Sequence, residues 1–231
     1  MRANQIPPGI LPTQRGLYYG GAWHAPKAGV YADTINPTYN EAITTAPVAD
    51  AQDVDAAVQA AHAAFPAWAA TPPVERGRYL RKAAAVLREH AQPLALLDSL
   101  NNGNPVSALA MDAGIAADCL DYFAGLATEI KGETIPMGDG NFNYTLQEPL
   151  GVIARIVAYN HPLMFAAARL AAPLPQVTRW SSNHRTRHRC PSCGWPSWSA
   201  TSFRRVWPTF CVVAAIAATR WAATRWWPKS R

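Results

Sequence analysis

Two hydrophobic patterns follow one another along the first half of the chain. Apolar and polar residues alternate with a period of two over residues 16–23, 30–35 and 41–46, which is typical of half-buried strands. The first segment contains the pair Gly20-Gly21, and a glycine pair between alternating residues favours a tight hairpin turn. The chain is therefore expected to begin with short strands, the first of them folded into a hairpin.

From residue 50 the apolar spacing becomes helical. Asp50 is a suitable N-cap for a first helix, and Pro66 is expected to end it or to begin its exit turn. A second helix is predicted over residues 73–90, because Pro73 and Glu75 suit a first helical turn. Apolar residues at helical spacing predict two further helices, over residues 93–100 and 106–130.

Strands are expected to return near residue 143. The segments 143–147 and 151–158 both have strand character, and the second is rich in Val and Ile, as in a strand buried on both faces. Asn160-His161-Pro162 then opens a helix predicted over residues 163–174. A buried strand, a polar turn and a helix form the opening unit of a dinucleotide-binding sheet. The predicted fold class is therefore α/β, with hairpin strands and the start of a Rossmann-like cofactor domain.

Composition changes abruptly after Leu174. Residues 1–174 carry 11 Lys and Arg and all 15 Asp and Glu, a net charge of −4, whereas residues 175–231 carry 10 Lys and Arg and no acid. The same tail holds seven of the nine tryptophans and three of the four cysteines. The net charge of +6 is thus an average over two unlike parts, and we predict a boundary between residues 1–174 and 175–231. The tail lacks the periodicity of a packed domain and is expected to be irregular or disordered.

The first 174 residues have the features expected of a cytoplasmic protein. The residues after Met1 do not form the apolar run of a signal peptide, and no apolar stretch reaches the ~18–20 residues that span a bilayer. Cys119 is alone in this part and lies in a helical pattern, which favours a buried thiol over a disulfide. We therefore expect no membrane partner.

Eight short motifs, in order and at characteristic spacing, resemble the NAD(P)-dependent aldehyde dehydrogenase superfamily. Each motif alone is weakly specific, but their order from residue 20 to residue 152 is specific. The motifs are Gly20-Gly21-Ala22-Trp23, Ile35-Asn36-Pro37, Asp53-Val54-Asp55-Ala56-Ala57, Ala64-Phe65-Pro66-Ala67-Trp68, Pro73-Val74-Glu75-Arg76, Leu100-Asn101-Asn102-Gly103-Asn104-Pro105, Gly132-Glu133-Thr134-Ile135-Pro136 and Glu148-Pro149-Leu150-Gly151-Val152.

The resemblance implies that an aldehyde is oxidised to its acid with NAD or NADP as acceptor, in enzymes that form dimers or tetramers. In the family an Asn ends a Pro-Trp-Asn motif and donates its side-chain amide to the oxyanion of the reaction. The corresponding residues here are Ala158-Tyr159-Asn160, so the resemblance implies that Asn160 is the oxyanion-hole amide. Ile156, Val157, Ala158 and Tyr159, together with Asn160, would line the nicotinamide side of the cofactor cleft.

Each candidate in this region has a structural alternative. Without the resemblance, Asn160 is best explained as the N-cap of the helix that starts near Pro162. His161 could act as a base, but an exposed residue in the first helical turn is the favoured interpretation. Cys119 is not a suitable nucleophile, because a thiolate is disfavoured among apolar residues in mid-helix.

After Leu174 the sequence departs from the family. The resemblance implies a following Gly-Asn-Thr-Val-Val-Ile-Lys-Pro strand, and later a Glu base and a Cys nucleophile, none of which is present in the chain. In a shifted reading frame, each codon would consist of the third base of one present codon and the first two bases of the next. Read in this way, the codons from Gln176 onward can encode that strand. We therefore predict that residues 175–231 are translated out of frame and that the chain is inactive.

Two other functions could be assigned to the tail. His184, His188, Cys190 and Cys193 are metal-ligating residue types, but one residue separates His188 from Cys190, where zinc fingers use a loop of about twelve. Zinc binding is therefore not favoured, and the prediction is that the protein holds no metal.

The tail arginines, interleaved with tryptophans, also resemble a nucleic-acid-binding patch. Out-of-frame GC-rich DNA yields the same residue types, and that origin is favoured. Docking of the fragment on an intact paralogue is the remaining alternative.

Overall fold

The computed structural model describes residues 2–153, 158 and 160–175. Strands β1 (Leu17–Tyr19) and β2 (Ala22–His24) pair antiparallel, with Leu17 opposite His24. Gly20 and Gly21 form the turn with φ of 59° and 83°, values that require a residue without a Cβ in a two-residue hairpin. The predicted hairpin is confirmed.

A second antiparallel pair follows at the predicted positions. Strand β3 (Tyr31–Asn36) pairs with β4 (Glu41–Pro47), with Tyr31 opposite Pro47. The side chain of Asn36 is buried, and its Oδ1 accepts a hydrogen bond from the Thr38 main-chain N–H at 3.0 Å. That bond closes the turn between the two strands, since a short polar side chain can replace a main-chain partner there.

The first helix is longer than predicted. Helix α1 (Ala51–Ala69) is capped by Asp50, whose carboxylate accepts from the Asp53 main-chain N–H at 2.9 Å. Pro66 lies inside α1, three residues before its last residue Ala69, so it does not end the helix but stands at the start of its last turn. A proline near a helix end removes few main-chain hydrogen bonds, and the buried Trp68 holds the last turn against the core.

The next two helices lie close to their predicted positions. Helix α2 (Pro73–Glu89) begins with Pro73, and helix α3 (Ala91–Asn102) begins two residues before Pro93. Gly103 ends α3 with φ of 81°, and its N–H bonds to the Ser99 carbonyl. A left-handed residue after the last turn is the common way for a helix to stop.

The single helix predicted over residues 106–130 is wrong. The segment is divided into α4 (Val106–Leu109), α5 (Asp112–Gly125) and a 3-10 turn over Leu126–Thr128. Ala110 and Met111 lie between α4 and α5 in a turn. No proline or glycine marks this break, so apolar spacing alone could not locate it.

The strands after α5 are shorter than predicted. Strand β5 (Thr134–Pro136), which the pattern did not indicate, pairs antiparallel with β6 (Phe142–Tyr144) in place of a strand over 143–147. Residues 151–153 and 158 are not in a strand, and the rest of the predicted strand 151–158 lies outside the described residues. Helix α6 (Pro162–Ala171) ends three residues before Leu174 and is followed by a turn.

Helices α2, α5 and α6 enclose the main core. Its buried residues are Trp68, Leu80, Ala84, Leu87, Ala116, Ala117, Leu120, Ala124, Ala171 and Leu174. Alanines supply most of the α5 surface in this cluster, which lets its neighbours approach closely. Arg88 of α2 adds ion pairs of 2.7 Å to Asp118 and Asp121 at the exposed rim of the α2–α5 contact.

The main chain at residues 174–175 is held by donors from early in the sequence. Trp68 Nε1 donates to the Leu174 carbonyl and Arg76 Nε to the Pro175 carbonyl, both at 3.1 Å in buried surroundings. Arg76 Nη1 donates to the Thr71 carbonyl, and burial lowers the pKa of the Arg76 guanidinium. These bonds satisfy carbonyls that follow the end of α6.

Among the described residues, no helix is long and apolar enough to cross a membrane. The predicted irregular tail, residues 175–231, lies almost entirely outside the described part of the chain. Its zinc candidates, His184, His188, Cys190 and Cys193, lie outside it too.

Gly77 sets the distance between α2 and α5. A Cβ at this position would lie 2.8 Å from the Ala124 main-chain oxygen, whereas a Cβ on Gly114 of α5 would meet nothing within 4 Å. The backbone of α5 therefore occupies the space that a side chain at residue 77 would need.

We predict opposite effects for two glycine substitutions. Gly77→Ala should lower the free energy of unfolding by about 1–3 kcal/mol, because the methyl group forces α2 and α5 apart. Gly114→Ala should raise it by about 0.5–1 kcal/mol, because alanine favours the helix and meets open space. Urea unfolding of the two variants measures both, and a stabilised Gly77→Ala would contradict this packing.

Candidate functional site

Asn160 lies at the start of α6 and is exposed. Its main-chain oxygen accepts two hydrogen bonds, from Asn102 Nδ2 at 3.1 Å and from Asn104 Nδ2 at 2.9 Å. Both bonds use the main chain of Asn160, so the side-chain amide takes no part in them. Asn160 is thus held by its backbone at the surface.

The two donors lie together at the end of α3, where Asn102 is the last helical residue and Asn104 belongs to the turn that follows. Asn102 Oδ1 accepts from the Asn104 main-chain N–H at 2.8 Å, and Ser99 Oγ donates to the Asn104 carbonyl at 2.6 Å. Gly103 between the asparagines takes its left-handed conformation. The turn therefore presents two side-chain amides in one direction.

Asp98 of α3 binds the first turn of α6. Its carboxylate accepts from the Leu163 main-chain N–H at 2.9 Å, and only 5% of the residue is exposed. Burial raises the pKa of Asp98 from 3.8 to about 6, with a smaller raising effect from Asp112; the Leu163 bond and His161 oppose the rise. An acid near a helix N-terminus is favoured by the helix dipole.

Asp112 at the start of α5 binds His161. The ring Nδ1 lies 2.8 Å from Asp112 Oδ2, and an imidazole that carries a proton on Nδ1 donates to this oxygen. Asp112 is 2% exposed and His161 is half-buried, so the expectation of an exposed His161 is wrong. The carboxylate on α5 explains the difference: it offers the ring a partner that sequence spacing could not reveal.

The N-cap interpretation of Asn160 is also not what the structure describes. The cap residue of α6 is His161, which makes no side-chain cap bond, and the free N–H of Leu163 is taken by Asp98. A carboxylate at this position takes the place that a phosphate would need. This helix start therefore does not fit the cofactor's pyrophosphate.

Three of the predicted cofactor-lining residues, Ile156, Val157 and Tyr159, lie outside the described residues. Ala158 is exposed, as is Asn160. The sequence interpretation assigned no role to Asp98, Asn102, Asn104 or Asp112. An acid within an apolar helical pattern, as at Asp98 and Asp112, was a signal that could have found two of them, because buried acids need partners.

Cys119 lies in α5, half-buried and packed against the main core. Its place beside apolar side chains agrees with the interpretation that it is a packing residue and not a nucleophile. In the described ranges, no group of three or more His, Cys, Asp or Glu could hold a metal ion.

Comparison with known proteins identifies the family. The model of the aldehyde dehydrogenase family matches residues 23–176. The chain belongs to the aldehyde dehydrogenase family. The aldehyde dehydrogenase tropH of Talaromyces stipitatus is 48% identical over 165 residues, which cover 70% of this chain and 32% of that protein.

Solved aldehyde dehydrogenase structures share the fold. PnpE, known from Pseudomonas sp. WBC-3 and solved in complex with nicotinamide adenine dinucleotide, is 41% identical with a TM-score of 0.68, over 71% of this chain and 34% of PnpE. An NADP-dependent enzyme of E. coli is 28% identical with a TM-score of 0.69, over 71% of this chain and 34% of its own. The predicted α/β fold, that of the N-terminal part of an aldehyde dehydrogenase, is confirmed. The chain spans about a third of the length of these relatives.

The raised pKa of Asp98 makes a testable contribution to stability. The folded chain holds the Asp98 proton up to about pH 6, while the unfolded chain releases it near ~4, so stability from this group falls as the pH rises between the two. Asp98→Asn removes the charge and keeps an oxygen for Leu163. Relative to the wild type, this variant should gain about 2–3 kcal/mol in free energy of unfolding between about pH 4 and pH 7.

Urea unfolding across that pH range measures the gain, with Asp139→Asn as control because Asp139 is exposed. If the difference in free energy of unfolding between the wild type and Asp98→Asn stays constant with pH, Asp98 keeps an ordinary pKa.

Proposed function

We propose that residues 1–174 are the N-terminal part of an NAD(P)-dependent aldehyde dehydrogenase, an enzyme that oxidises an aldehyde to a carboxylic acid. The observation that carries the proposal is the placement of Asn160: an exposed amide at the start of α6, held by its backbone, within a family match over residues 23–176.

Asn160 is the proposed catalytic residue of this segment. When the aldehyde carbon is attacked, negative charge develops on its oxygen, and a fixed amide N–H stabilises that charge in a site shielded from water. The amide needs no change of protonation state for this task, and its held backbone limits the reorganisation that the reaction requires.

NAD or NADP would accept the hydride when bound, and Ile156, Val157, Ala158, Tyr159 and Asn160 would line its nicotinamide side. Relatives that use each of the two cofactors support NAD and NADP as candidates. PnpE was solved with nicotinamide adenine dinucleotide, and the E. coli relative is NADP-dependent. The Leu163 N–H at the α6 N-terminus is already bonded to the Asp98 carboxylate, so this N–H is not proposed as a donor to the phosphates of either cofactor.

We propose further that residues 175–231 are read out of frame and that the chain is inactive as translated. The net charge changes from −4 to +10 after residue 174, and the family match stops at residue 176. The alternative frame permits the family's next strand from Gln176 onward. One deleted base after the Leu174 codon accounts for all three observations.

We also propose a cytoplasmic location, because the thiol of Cys119 is free and reduced thiols are typical of that compartment.

Family enzymes assemble as dimers or tetramers, so docking on an intact paralogue is a second candidate role. A third, nucleic-acid binding through the basic tail, is favoured only by its charge of +10. Nucleic-acid binding requires an affinity for duplex DNA that falls steeply as the salt concentration rises. An affinity that does not change with salt concentration would exclude this role.

Activity of the purified chain tests the proposal directly. With an aldehyde and NAD or NADP, the 231-residue chain should form no reduced cofactor, because it contains neither the family's nucleophile nor its base. Restoring one base after the Leu174 codon should give an active enzyme if the alternative frame encodes both groups. Stop codons in that frame, or reduction of NAD by the unrepaired chain, would refute the frameshift.

In the repaired enzyme, Asn160→Ala should lower kcat by about 10²–10³-fold, the usual effect of losing one oxyanion donor. Asn141→Ala is the matched control, since Asn141 lies exposed in the β5–β6 turn. Equal kcat in the two variants would remove Asn160 from the mechanism while leaving the family assignment intact.

A further inference from the structure

We propose that Asn102 and Asn104 are positioning residues, which hold the main-chain carbonyl of Asn160 and so fix the backbone from which its side-chain amide projects. The inference rests on the proposed function, because it gives these two residues a task only if the Asn160 amide has one. It concerns residues to which the family resemblance assigned no role.

The first step is the convergence of two donors on one oxygen. A carbonyl oxygen has two lone pairs, and the Asn160 carbonyl uses both for side-chain amides, at 3.1 Å and 2.9 Å. A single hydrogen bond to this oxygen would leave the peptide group free to rotate about that bond. Two donors from different residues fix both the position and the plane of the peptide between Asn160 and His161.

The second step is that these donors are themselves fixed. The Asn102 side chain is held by the Asn104 N–H, and the Asn104 main chain by the Ser99 hydroxyl. A side chain that is already ordered loses little further entropy when it binds, so its hydrogen bond restrains the partner more effectively. The turn after α3 is thus a rigid support and not two separate surface residues.

The third step is the restraint on the residues that follow. Asp112 binds the His161 ring, and Asp98 binds the Leu163 N–H. Together with the two asparagines, these carboxylates hold residues 160, 161 and 163 from α3, the turn after it, and α5. The side-chain torsions of Asn160 are then its main remaining freedom, and its exposed amide points from a fixed base.

A simpler role, closing the end of α3, does not require either amide to reach Asn160. The Gly103 N–H already bonds to the Ser99 carbonyl, and Gly103 takes the left-handed conformation that ends the helix. The contacts with Asn160, 56 and 58 residues along the chain, add nothing to that local structure. Their effect is on the turn that carries Asn160.

The experiment uses the full-length chain with ¹⁵N-labelled asparagine. The side-chain NH₂ signals of Asn160 are recognised as those missing in an Asn160→Asp variant. In Asn102→Asp and Asn104→Asp the donor becomes an acceptor of similar shape, so the Asn160 NH₂ signals should shift and broaden. Main-chain hydrogen exchange at Leu163–Phe165 should rise by up to about tenfold as one of the two hydrogen bonds to the Asn160 carbonyl is lost.

The matched control is Asn101→Asp, which introduces the same charge one residue away from Asn102. Asn104→Gln keeps an NH₂ donor and should leave the Asn160 signals near their wild-type positions. If urea unfolding shows that either Asp variant does not fold, Asn104→Gln and Asn104→Glu provide the same comparison. Their side chains have equal length and differ in whether they carry an NH₂ donor.

Unchanged Asn160 signals in both Asp variants would overturn the inference, and so would equal changes in Asn101→Asp or in Asn104→Gln. The proposed function fails by different results, namely stop codons in the alternative frame or an inactive repaired enzyme. Neither of those alters the NMR comparison, so the two failures can be told apart.

Discussion

The hydrogen bond from the Leu163 main-chain N–H to the buried carboxylate of Asp98 is the constraint on which the placement of α6 depends. Burying a carboxylate is costly, as the raised pKa of Asp98 shows. The hydrogen bond from the Leu163 N–H, at the positive end of a helix, offsets only part of this cost. An apolar residue at position 98 would leave that N–H without this partner, so the bond fixes where α6 begins.

The alanine-rich packing of α5 leaves the position of α6 along its own axis to be set by polar contacts. Helix α6 lies against α5, and the buried residues that α5 contributes to the core cluster include Ala116, Ala117 and Leu120. Small side chains allow close approach but offer few interlocking shapes that would fix a helix along its own axis. Polar contacts at the two ends of α6 supply that register: Asp98 and Asp112 at its start, and Trp68 and Arg76 just beyond its end.

The sequence predicted local structure better than the polar contacts between elements. Alternation and glycine chemistry located the β1–β2 hairpin and the β3–β4 strands, and the Asp50 cap located the start of α1. The break at Ala110 and Met111 was missed, because it carries no proline or glycine. The partners of Asp98 and Asp112 were missed for a different reason: they lie 65 and 49 residues away, and spacing along a chain does not encode such pairs. The motif that contains Asn102 and Asn104 was recognised from the sequence, but the contact of these two residues with Asn160 was not predicted.

The contacts at residues 174–175 explain how a fold of this kind can persist up to the change in composition. Trp68 and Arg76 bind main-chain carbonyls there, not side chains, and every residue type offers the same carbonyl. The donors belong to the segment before Leu174, where the charge balance and the periodicity are those of a packed domain. Whatever residue stands at position 175, it can receive the Arg76 bond, so the end of α6 is secured by residues far earlier in the sequence. A frameshift at this point would therefore leave the turn after α6 with its partners, and would act on the strands and helices that the family places after it.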